Sequence, residues 1–593
     1  MSTYAAPIKD MLFVLRALAD IESIARLPGY EDASLDTVTA VLEESGKFAT
    51  GVLDPLNWPG DQAGAQWDAG TVRMPDGFRA AYDQFVAAGW NALPIDAEWG
   101  GQGLPKVVST PVTEMVTSAN MAFSLCPLLT QGAIEALLLC GSAQLKDTFL
   151  RKMVTGEWTG TMNLTEPQAG SDLALLRTKA QPQGDHYLIT GQKIFITYGE
   201  HDLTDNIVHL VLARTPDAPE GVKGISLFVV PKFLVNADGT LGARNTAHCV
   251  SIEHKLGIHA SPTAVMAYEN AVGYLVGEEN KGLAYMFIMM NAARFGVGME
   301  GVSIAERAYQ RAVHYARDRM QGKDLVAGAK TVPIIRHPDV RRMLMLMKSQ
   351  TEAMRALAYV VAAAMDVAQC HPDADVRKTQ AAFVDLMIPV VKAWSTETGI
   401  EVASLGVQIH GGMGFIEETG AAQYLRDARI TTIYEGTTGI QANDLLGRKI
   451  VREGGASIRA WIKHVQSLDA ALSSVERVEV VSIRNHLRAA LQAVSAAVNY
   501  ILAQAANEPK NVFAGAVPFL KLVGITAGGW QMAVAALKAH AALTDAQSDH
   551  DFYQAKIATA RFFAEQVLVE APTLSRMVTE GGASVMALDE AMF

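Results

Sequence analysis

The chain has 593 residues, too many for a single hydrophobic core, so we expect several domains. Apolar residues make up 50% of it, enough to fill those cores. The formal net charge is -12 and no basic stripe offsets it, so nucleic acid is not expected as a partner. The four cysteines are widely spaced and form no C-x-x-C pair, which is typical of reduced residues in a cytoplasmic protein.

The two most apolar regions are not typical of export or membrane insertion. The N-terminal segment has apolar residues at helical spacing, but charged residues such as Lys9 and Arg16 interrupt it, unlike a signal peptide. The best candidate for a membrane span lies between Lys521 and Lys538, contains polar residues and is shorter than the ~20 apolar residues that a span needs. We therefore expect a buried helix there and no membrane span.

Residue patterns divide the chain into four segments. Residues 1–160 show helical periodicity with Pro and Gly breaks, which predicts an N-terminal helical domain with an extension. Residues 161–280 contain short β-branched and aromatic runs between turn residues, which predicts a middle antiparallel β domain. Helical patterns return over 281–452, and Ala-rich ones follow over 453–593. We expect an α+β, mainly α fold in which a helical bundle and an extra C-terminal helical domain complete the chain.

One carboxylate has surroundings that suit a general base. Glu435 follows the apolar pair Ile433 and Tyr434 and precedes Gly436 in a Gly-Thr-Thr-Gly turn. Gly436 lets another molecule approach the backbone, and partial desolvation raises a carboxyl pKa towards neutrality. The alternative is a solvated or helix-capping residue, the usual role of Glu before Gly near a helix start. These residues alone leave both roles open.

The segment LTEPQAGSDL is suited to binding oxygen atoms of a ligand. Thr165, Gly170 and Ser171 present hydroxyl and backbone donors over a few residues of one turn. Such loops bind phosphate or flavin-ring oxygens. The alternative is a polar turn in which Ser171 or Asp172 caps a helix.

Two further segments have the composition of a binding site. Phe195 and Thr197 close a predicted strand and would set an aromatic ring and a hydroxyl at a sheet rim, although core packing also explains Phe195. The glycine-rich turn before Phe415 exposes backbone amides at Gly411 and Gly412. No G-x-G-x-x-G lies in a βαβ setting and no His or Cys residues cluster, so neither a Rossmann nicotinamide site nor a metal is expected.

Four of these segments together resemble the acyl-CoA dehydrogenase family of flavoenzymes. They are, in the family's order, MNLTEPQAGSDL at Met162–Leu173, KIFITYGE at Lys193–Glu200, QIHGGMGF at Gln408–Phe415 and IYEGTTGIQ at Ile433–Gln441. The resemblance covers residues 80–450 and implies FAD as cofactor and the α,β-dehydrogenation of an acyl-CoA thioester to a trans-2-enoyl-CoA. The layout, with its N-terminal extension and extra C-terminal helices, is most similar to the subgroup that acts on 3-methylmercaptopropionyl-CoA.

The resemblance also implies roles for individual residues. Glu435 becomes the base that removes the α-proton while the β-hydride passes to N5 of FAD. Arg294, expected to open a glycine-rich helix, would contact the acyl-CoA together with Ser171 and Gly436. Many relatives have Trp where this chain has Phe195. The aromatic ring is therefore kept here, but the indole N–H is absent. The residues expected to bind FAD are Leu164, Thr165, Gly170, Ser171, Phe195, Thr197, Arg319, Gln408, Gly411, Gly412 and Thr437.

The same resemblance implies the partners of the enzyme. An electron-transferring flavoprotein would reoxidise the flavin, and direct reaction with oxygen, as in acyl-CoA oxidases, is the alternative. Arg319 is expected to reach the flavin pyrophosphate of a neighbouring subunit, which implies a homodimer. The alternatives to 3-methylmercaptopropionyl-CoA as substrate are short- to medium-chain and long-chain acyl-CoAs. The rival functions are nucleic-acid binding and a non-catalytic scaffold, against which the net charge and the retained Glu435 argue.

Overall fold

The computed structural model describes residues 4–326, 328 and 330–593. The chain forms two compact units. The mixed unit contains Glu44–Leu104 and Met115–Gly296, and includes the main β-sheet. The helical unit contains residues 4–43, Pro105–Glu114 and Val297–Phe593.

The first part of the chain is helical, as predicted, apart from a short hairpin of β1 (Gln66–Asp68) and β2 (Thr71–Arg73). Helix α7 begins after Asn120, whose side chain accepts the backbone N–H of Phe123 and so caps the helix. The helices are α1 (Ile8–Ala17), α2 (Ile21–Ile24), α3 (Leu35–Phe48), α4 (Asp54–Ala63), α5 (Phe78–Ala87), α6 (Lys106–Ala119), α7 (Met121–Cys140), α8 (Ala143–Leu145) and α9 (Arg151–Val154).

A seven-stranded sheet with the order β3-β6-β7-β11-β5-β4, and β10 paired to β11, forms the centre of the mixed unit. The strands are β3 (Trp158–Asn163), β4 (Lys179–Gln183), β5 (His186–Thr197), β6 (Asn206–Ala213), β7 (Ser226–Pro231), β8 (Phe233–Val235), β9 (Leu241–Arg244), β10 (Ala247–Ile252) and β11 (Thr263–Leu275), with β8 and β9 as a separate hairpin.

The sheet is antiparallel except at one edge, where β3 and β6 run parallel. The prediction of a wholly antiparallel sheet was wrong at this pair. The chain leaves β3 and forms β4 and β5 before it returns as β6, and such a crossover sets two strands parallel.

Both faces of the sheet are buried. Along β6, Val208, Leu210 and Leu212 join one apolar core, whereas Val211 and Ala213 join the other. The alternation follows from the two-residue period of a strand. Helix α7 contributes to the first core, and β5, which carries Phe195 and Thr197, contributes Ile189 and Ile196 to the second.

Helices return after the sheet, with one further hairpin of β12 (Met320–Lys323) and β13 (Thr331–Pro333). The helix expected to open at Arg294 begins instead at Gly282, because the apolar periodicity continues through the residues before Arg294. The helices are α10 (Gly282–Asp318), α11 (Pro338–Cys370), α12 (Ala374–His410), α13 (Ala421–Ala428), α14 (Thr438–Asn443), α15 (Ala456–Gln466), α16 (Asp469–Ser473), α17 (Val478–Gln504), α18 (Pro509–Ala514), α19 (Ala516–Ala542), α20 (His550–Gln566), α21 (Ala571–Glu580) and α22 (Gly582–Val585).

Helix α19 of the C-terminal region packs directly on α12. The Trp394 ring of α12 lies over two glycines of α19: a Cβ on Gly524 would lie 2.4 Å from Trp394 Cγ, and one on Gly528 would lie 2.6 Å from Trp394 Cη2. Trp394 is consequently buried. The last helices therefore contribute to the packing of α12.

Three helices among the described residues, α7, α11 and α19, are long and apolar enough to cross a membrane. The prediction that the apolar stretch near residue 530 is too short was wrong, because α19 extends over Ala516–Ala542. Its most apolar window is nevertheless 83% buried inside the fold, as expected of a core helix. The expected lack of a membrane span stays a prediction.

Candidate active site

Glu435 lies in the loop that leads into α14. It is half-buried and has a φ of +54°, a left-handed conformation that is uncommon for residues other than glycine. Gly436 follows with a φ of +87°, and a Cβ there would lie 2.6 Å from Gln441 Nε2. Such backbone strain persists only where surrounding contacts enforce it, and it is concentrated at functional sites.

Two buried side chains fix the backbone of this loop. Lys392 Nζ donates to the carbonyl oxygens of Thr431 and Gly436, both at 2.8 Å. Gln441 Nε2 donates to the carbonyl oxygen of Glu435 at 3.1 Å. Lys392 and Gln441 are both 0% exposed, so these contacts are shielded from water. The Glu435 loop is therefore held on both sides of the carboxylate.

A second carboxyl group lies behind the loop. The Tyr434 hydroxyl donates to Glu300, which is completely buried on α10. Burial raises the pKa of Glu300 to about 8; the Tyr434 hydrogen bond and the Lys392 charge oppose this rise, and Glu435 adds to it. Burial also raises the pKa of Tyr434, so its hydroxyl stays protonated.

Glycines on α10 bring Glu300 close to α12. A Cβ on Gly298 would lie 2.7 Å from Val391 Cγ1, and one on Gly301 would lie 2.4 Å from the carbonyl oxygen of Ser395. The two helices therefore approach each other closely at these two glycines. Glu300 lies between them in sequence, and it interacts electrostatically with Lys392 of α12.

In the mixed unit, a buried lysine holds the loop that contains Leu164 and Thr165. Lys193 Nζ donates to the Leu164 carbonyl and to Glu166 Oε1, both at 2.9 Å. The Thr165 carbonyl accepts the backbone N–H of Ile194 at 2.9 Å. These contacts fix the loop to β5.

The Glu166 and Lys193 side chains are both charged at neutral pH. Burial would raise the pKa of Glu166, but the Lys193 ammonium and hydrogen bonds from Thr178 and Arg177 lower it to about 2. Burial lowers the pKa of Lys193 to about 8, and Glu166 opposes this change. The loop is thus fixed by an ion pair between Glu166 and Lys193.

The end of the same loop is open to solvent. Gly170 and Ser171 are exposed, and a Cβ on Gly170 would meet no described atom within 4 Å. Asp172 accepts the Ala174 backbone N–H at 3.0 Å and caps the short helical turn Leu173–Leu175. The predicted capping alternative therefore applies to Asp172.

A β-bulge turns Phe195 away from the sheet. The register of β5 against β11 shifts between Ala264 and Met266, so that Ile194 and Phe195 together face Val265. Phe195 has a φ of +60°, and the residue is 59% exposed. The ring lies at the rim that the sequence predicted, close to Thr197 at the end of β5.

The glycine-rich turn follows α12 directly. Gly411 has a φ of +60°, and a Cβ on Gly411 or Gly412 would meet no described atom within 4 Å. Gln408 is exposed near the helix end, and Phe415 is 86% exposed. The turn therefore presents open backbone beside an exposed aromatic ring.

His410, at the end of α12, is a packed residue. Its Nδ1 bonds to the Gly406 carbonyl at 2.7 Å, and its ring stacks on Tyr315 with 4.3 Å between centroids. Among the residues that the structure describes, no group of three or more His, Cys, Asp or Glu could hold a metal ion.

The remaining predicted residues have different surroundings. Arg319 is exposed immediately after α10. Arg294 is 6% exposed, and its guanidinium carbon lies 5.9 Å from the centre of the Phe287 ring. Thr437 caps α14, because its hydroxyl accepts the Ile440 backbone N–H at 3.3 Å. Of the three, Arg319 is the most accessible to an anionic ligand.

Each unit thus groups some of the predicted residues. In the helical unit, Glu435, Gly436 and Thr437 share one loop, and Gly411 and Gly412 share one turn. In the mixed unit, the residues between Leu164 and Ser171 form a loop bonded to β5, which carries Phe195 and Thr197.

Sequence reasoning missed four supporting residues: Lys392, Glu300, Gln441 and Lys193. The available signal was a charged or amide residue within an otherwise buried segment, such as Lys392 within VVKAWS. Such residues are rare in cores unless they have a partner, so they mark hydrogen-bonded positions.

The residues present fit a bound FAD. In the mixed unit, the exposed Phe195 ring can stack on a flavin, and the open Gly170 admits oxygen atoms. In the helical unit, Gly411 and Gly412 leave room for a ligand at the backbone, and the exposed Arg319 suits a phosphate.

Four domain models match the chain consecutively. The acyl-CoA dehydrogenase N-terminal, middle and C-terminal domains match residues 59–157, 161–271 and 280–450, and a model named acetyl-CoA dehydrogenase C-terminal like matches 456–589. The 3-methylmercaptopropionyl-CoA dehydrogenase of Ruegeria pomeroyi is 53% identical over 98% of this chain and 99% of its own length. The chain belongs to the acyl-CoA dehydrogenase family.

Two further proteins are also similar over nearly the whole chain. A butyryl-CoA dehydrogenase of Syntrophomonas wolfei is 34% identical over 95% of both chains. The structure of Caenorhabditis elegans ACDH-11 in complex with C11-CoA covers 97% of this chain and 95% of its own, with a TM-score of 0.75 and 21% identity. This second likeness concerns the fold.

Membership of the acyl-CoA dehydrogenase family confirms the predicted fold class, the enzyme class and FAD as the cofactor of the family. The predicted boundaries at residues 160, 280 and 452 and the roles of individual site residues stay predictions.

Proposed function

We propose that this enzyme removes the α-proton of an acyl-CoA thioester with Glu435 as the base. The observation that carries the proposal is the strained, left-handed conformation of Glu435. Lys392 and Gln441 hold the carbonyls of Gly436 and Glu435, so the carboxylate has a defined position. A general base needs such positioning as well as a suitable pKa.

The reaction balances as a two-electron oxidation of the substrate. Glu435 accepts the proton from Cα, and the electron pair of that C–H bond forms the new double bond between Cα and Cβ. FAD, when bound, supplies the acceptor for the hydride that leaves Cβ, which it takes at N5. The product is a trans-2-enoyl-CoA, and Glu435 must afterwards release its proton.

Three of the residues proposed to hold FAD have a specific expected contact. Phe195 and Thr197 would face the flavin ring system, and Arg319 would meet phosphate oxygens. The other proposed flavin contacts are Leu164, Thr165, Gly170, Ser171, Gln408, Gly411, Gly412 and Thr437. Support comes from the exposure of Phe195 and Arg319 and from the open space at Gly411 and Gly412.

The proposed substrate is 3-methylmercaptopropionyl-CoA or an acyl-CoA of similar length. Support comes from the Ruegeria pomeroyi relative of that name, which is similar over the whole chain. A methylene group more or less is worth about 1–3 kcal/mol in an apolar pocket, so neighbouring chain lengths would react more slowly rather than not at all. Ser171, Arg294 and Gly436 are the proposed substrate contacts.

We further propose that an electron-transferring flavoprotein reoxidises the enzyme, and that a homodimer works in the cytoplasm. The exposed apolar residues Met413, Phe415 and Ile416 support a subunit contact near the glycine-rich turn. Hydrogen peroxide formation in air, measured against electron transfer to such a flavoprotein, would distinguish a dehydrogenase from an oxidase.

The test is anaerobic reduction of the purified flavoprotein with 3-methylmercaptopropionyl-CoA and with butyryl- to palmitoyl-CoA. We expect rapid loss of flavin absorbance, fastest with 3-methylmercaptopropionyl-CoA. Glu435→Gln should slow the reduction by about 10²–10⁴-fold, the usual contribution of a general base. The exposed Glu418 offers a matched control, and Glu418→Gln should reduce at the wild-type rate.

Two outcomes would contradict the proposal. A flavin that stays oxidised with every thioester would exclude the dehydrogenation. Equal rates for Glu435→Gln and the wild type would exclude Glu435 as the base. A faster reaction with palmitoyl-CoA would show that the substrate is a long-chain acyl-CoA. The proposed dehydrogenation by Glu435 would be unaffected.

A further inference from the structure

We propose that Glu300, Tyr434 and Lys392 form a positioning group for Glu435, in which Glu300 retains a proton while Glu435 is ionised. Lys392 fixes the loop backbone, and Tyr434 connects the loop to Glu300. The inference rests on the proposed role of Glu435 as the base. It explains how the Glu435 carboxylate stays ionised and how its position is fixed.

The first step of the argument is the anchoring of the loop. Lys392 Nζ bonds to carbonyls on both sides of Glu435, at Thr431 and at Gly436. The two bonds span the left-handed Glu435, whose conformation needs enforcement by its surroundings. Lys392 is completely buried, so these two bonds are shielded from water.

The second step is the connection through Tyr434. The residue directly before Glu435 in the chain bonds by its hydroxyl to Glu300. Glu300 Oε1 is buried and has no hydrogen-bond partner among the described residues. An ionised carboxylate with one oxygen unpaired in a core is costly, whereas a protonated carboxyl group is cheaper to bury.

The third step is a charge count. One buried cation, Lys392, acts on Glu300, which also experiences the charge of Glu435. Two neighbouring carboxylates repel each other, so the more buried one keeps its proton. Glu435 is half-buried and Glu300 is fully buried, so the proton stays on Glu300.

The packing explains why the second carboxyl group lies there. Gly298 and Gly301 allow α10 to contact the α12 backbone on either side of Glu300, at Val391 and Ser395. These two residues flank Lys392 in the sequence of α12. Larger side chains at the glycines would separate Glu300 from Lys392 and leave the lysine without this neighbour.

The arrangement predicts a pH signature. The titratable groups that act on Glu300 are Tyr434 and Glu435 from the loop and Lys392 from α12. With the pKa of Glu300 raised to about 8, its ionisation adds a negative charge beside Glu435 only at alkaline pH. That charge makes Glu435 a stronger base, so the rate constant of flavin reduction should rise through an inflection near pH 8.

The test compares the pH profile of anaerobic flavin reduction in the wild type and in Glu300→Gln. The acid limb reports the ionisation of Glu435, and we expect it unchanged in the variant, because glutamine replaces a group that is already neutral there. The alkaline inflection should disappear. If Glu300 were ionised instead, its neutralisation would move the acid limb down by about one pH unit or more.

Tyr434→Phe and Lys392→Met test the two connections. The Tyr434 hydrogen bond favours the ionised form of Glu300, so its loss should move the alkaline inflection to higher pH. Lys392→Met should slow reduction by about 100-fold through misplacement of Glu435, and should move the acid limb to higher pH. The partly exposed Lys521 provides the control, and Lys521→Met should retain the wild-type profile.

An infrared difference spectrum reports the protonation state of Glu300 directly. It requires no turnover, and it does not depend on whether Lys392→Met folds. Burial also raises the pKa of Asp366 to about 7, so Asp366 contributes to the spectra of both proteins. Subtraction of the Glu300→Gln spectrum from the wild-type spectrum at pH 6.5 should therefore leave the C=O stretch of one protonated buried carboxyl group. Absence of that band from the difference spectrum, or an alkaline inflection that persists in Glu300→Gln, would overturn the inference. A wild type that no thioester reduces would instead contradict the proposed function.

Discussion

Glu166 and Lys193 form an ion pair with 2.9 Å between Oε1 and Nζ, and the side chains are 3% and 0% exposed. The same ammonium bonds to the carbonyl of Leu164, at the start of the loop proposed to bind the flavin. A buried pair must offset the desolvation of both charges, so its main effect here is to fix the position of the loop.

Removal of one partner of this pair should destabilise the protein strongly. Glu166→Gln or Lys193→Met leaves an uncompensated buried charge, and we expect a loss of ~3–5 kcal/mol in the free energy of unfolding. The double variant should lose less than the sum of the single losses, as urea unfolding would show. Glu157→Gln, in an exposed pair with Lys152, should cost less than ~1 kcal/mol. Additive losses would mean that the two charges do not depend on each other.

The same pair predicts an acid-dependent loss of stability. The pKa of Glu166 is about 2 in the folded protein, against an ordinary value of 4.5. A depressed carboxyl pKa stabilises the fold above the unfolded pKa, and this contribution is lost as the pH falls from 4.5 towards 2. Thermal unfolding between pH 5 and 2.5 should therefore be less steeply pH-dependent in Glu166→Gln than in the wild type. Parallel curves would contradict the low pKa.

Phe195→Ala should weaken FAD binding without weakening the fold. The residue is 59% exposed, so its removal costs little core packing. Loss of an aromatic contact is worth about 0.5–1.5 kcal/mol, which corresponds to about twofold to twelvefold in Kd. Titration of the apoprotein with FAD, followed by flavin fluorescence, measures the change. Phe195→Trp retains a ring and should bind FAD at least as well as the wild type, whereas an unaltered Kd for Phe195→Ala would exclude the stacking role.

Gly301→Ala should disturb the contact of α10 with α12. The added Cβ would lie 2.4 Å from the carbonyl oxygen of Ser395, so the two helices must separate. We expect a loss of ~1–3 kcal/mol in the free energy of unfolding, as for other overpacked cores, and slower flavin reduction. Gly51→Ala is the control, because a Cβ there would meet no described atom within 4 Å. Wild-type stability and rate in Gly301→Ala would show that the helices can adjust without effect on Glu435.

The sequence predicted those parts of the fold that depend on local pattern. The β-branched runs at residues 185–197 and 206–215 became β5 and β6, because residue alternation is a property of the strand itself. The parallel pairing of β3 with β6 depends on residues far apart in the chain, and no local pattern encodes it. The start of α10 was misplaced at Arg294 although no Gly or Pro signal stands immediately before it and the apolar periodicity continues through the preceding residues.

In the candidate site, too, the sequence predicted the local features but not the contacts between distant residues. The motif around Glu435 identified the carboxylate, and its Gly436 indicated a special backbone. The left-handed conformation of Glu435 itself depends on Lys392 and Gln441, which approach from α12 and α14. Only the three-dimensional packing brings Glu300, 134 positions before Tyr434 in the sequence, into contact with it.

The contact of Trp394 with Gly524 and Gly528 has a consequence for how the enzyme behaves on dilution. Trp394 lies two residues after Lys392 on α12, so the helix that anchors the Glu435 loop is covered by α19 of the same chain. An intramolecular contact has an effective concentration set by the chain and not by the solution. The packing behind Lys392 therefore persists in a single polypeptide at any protein concentration, whatever assembly the subunits form.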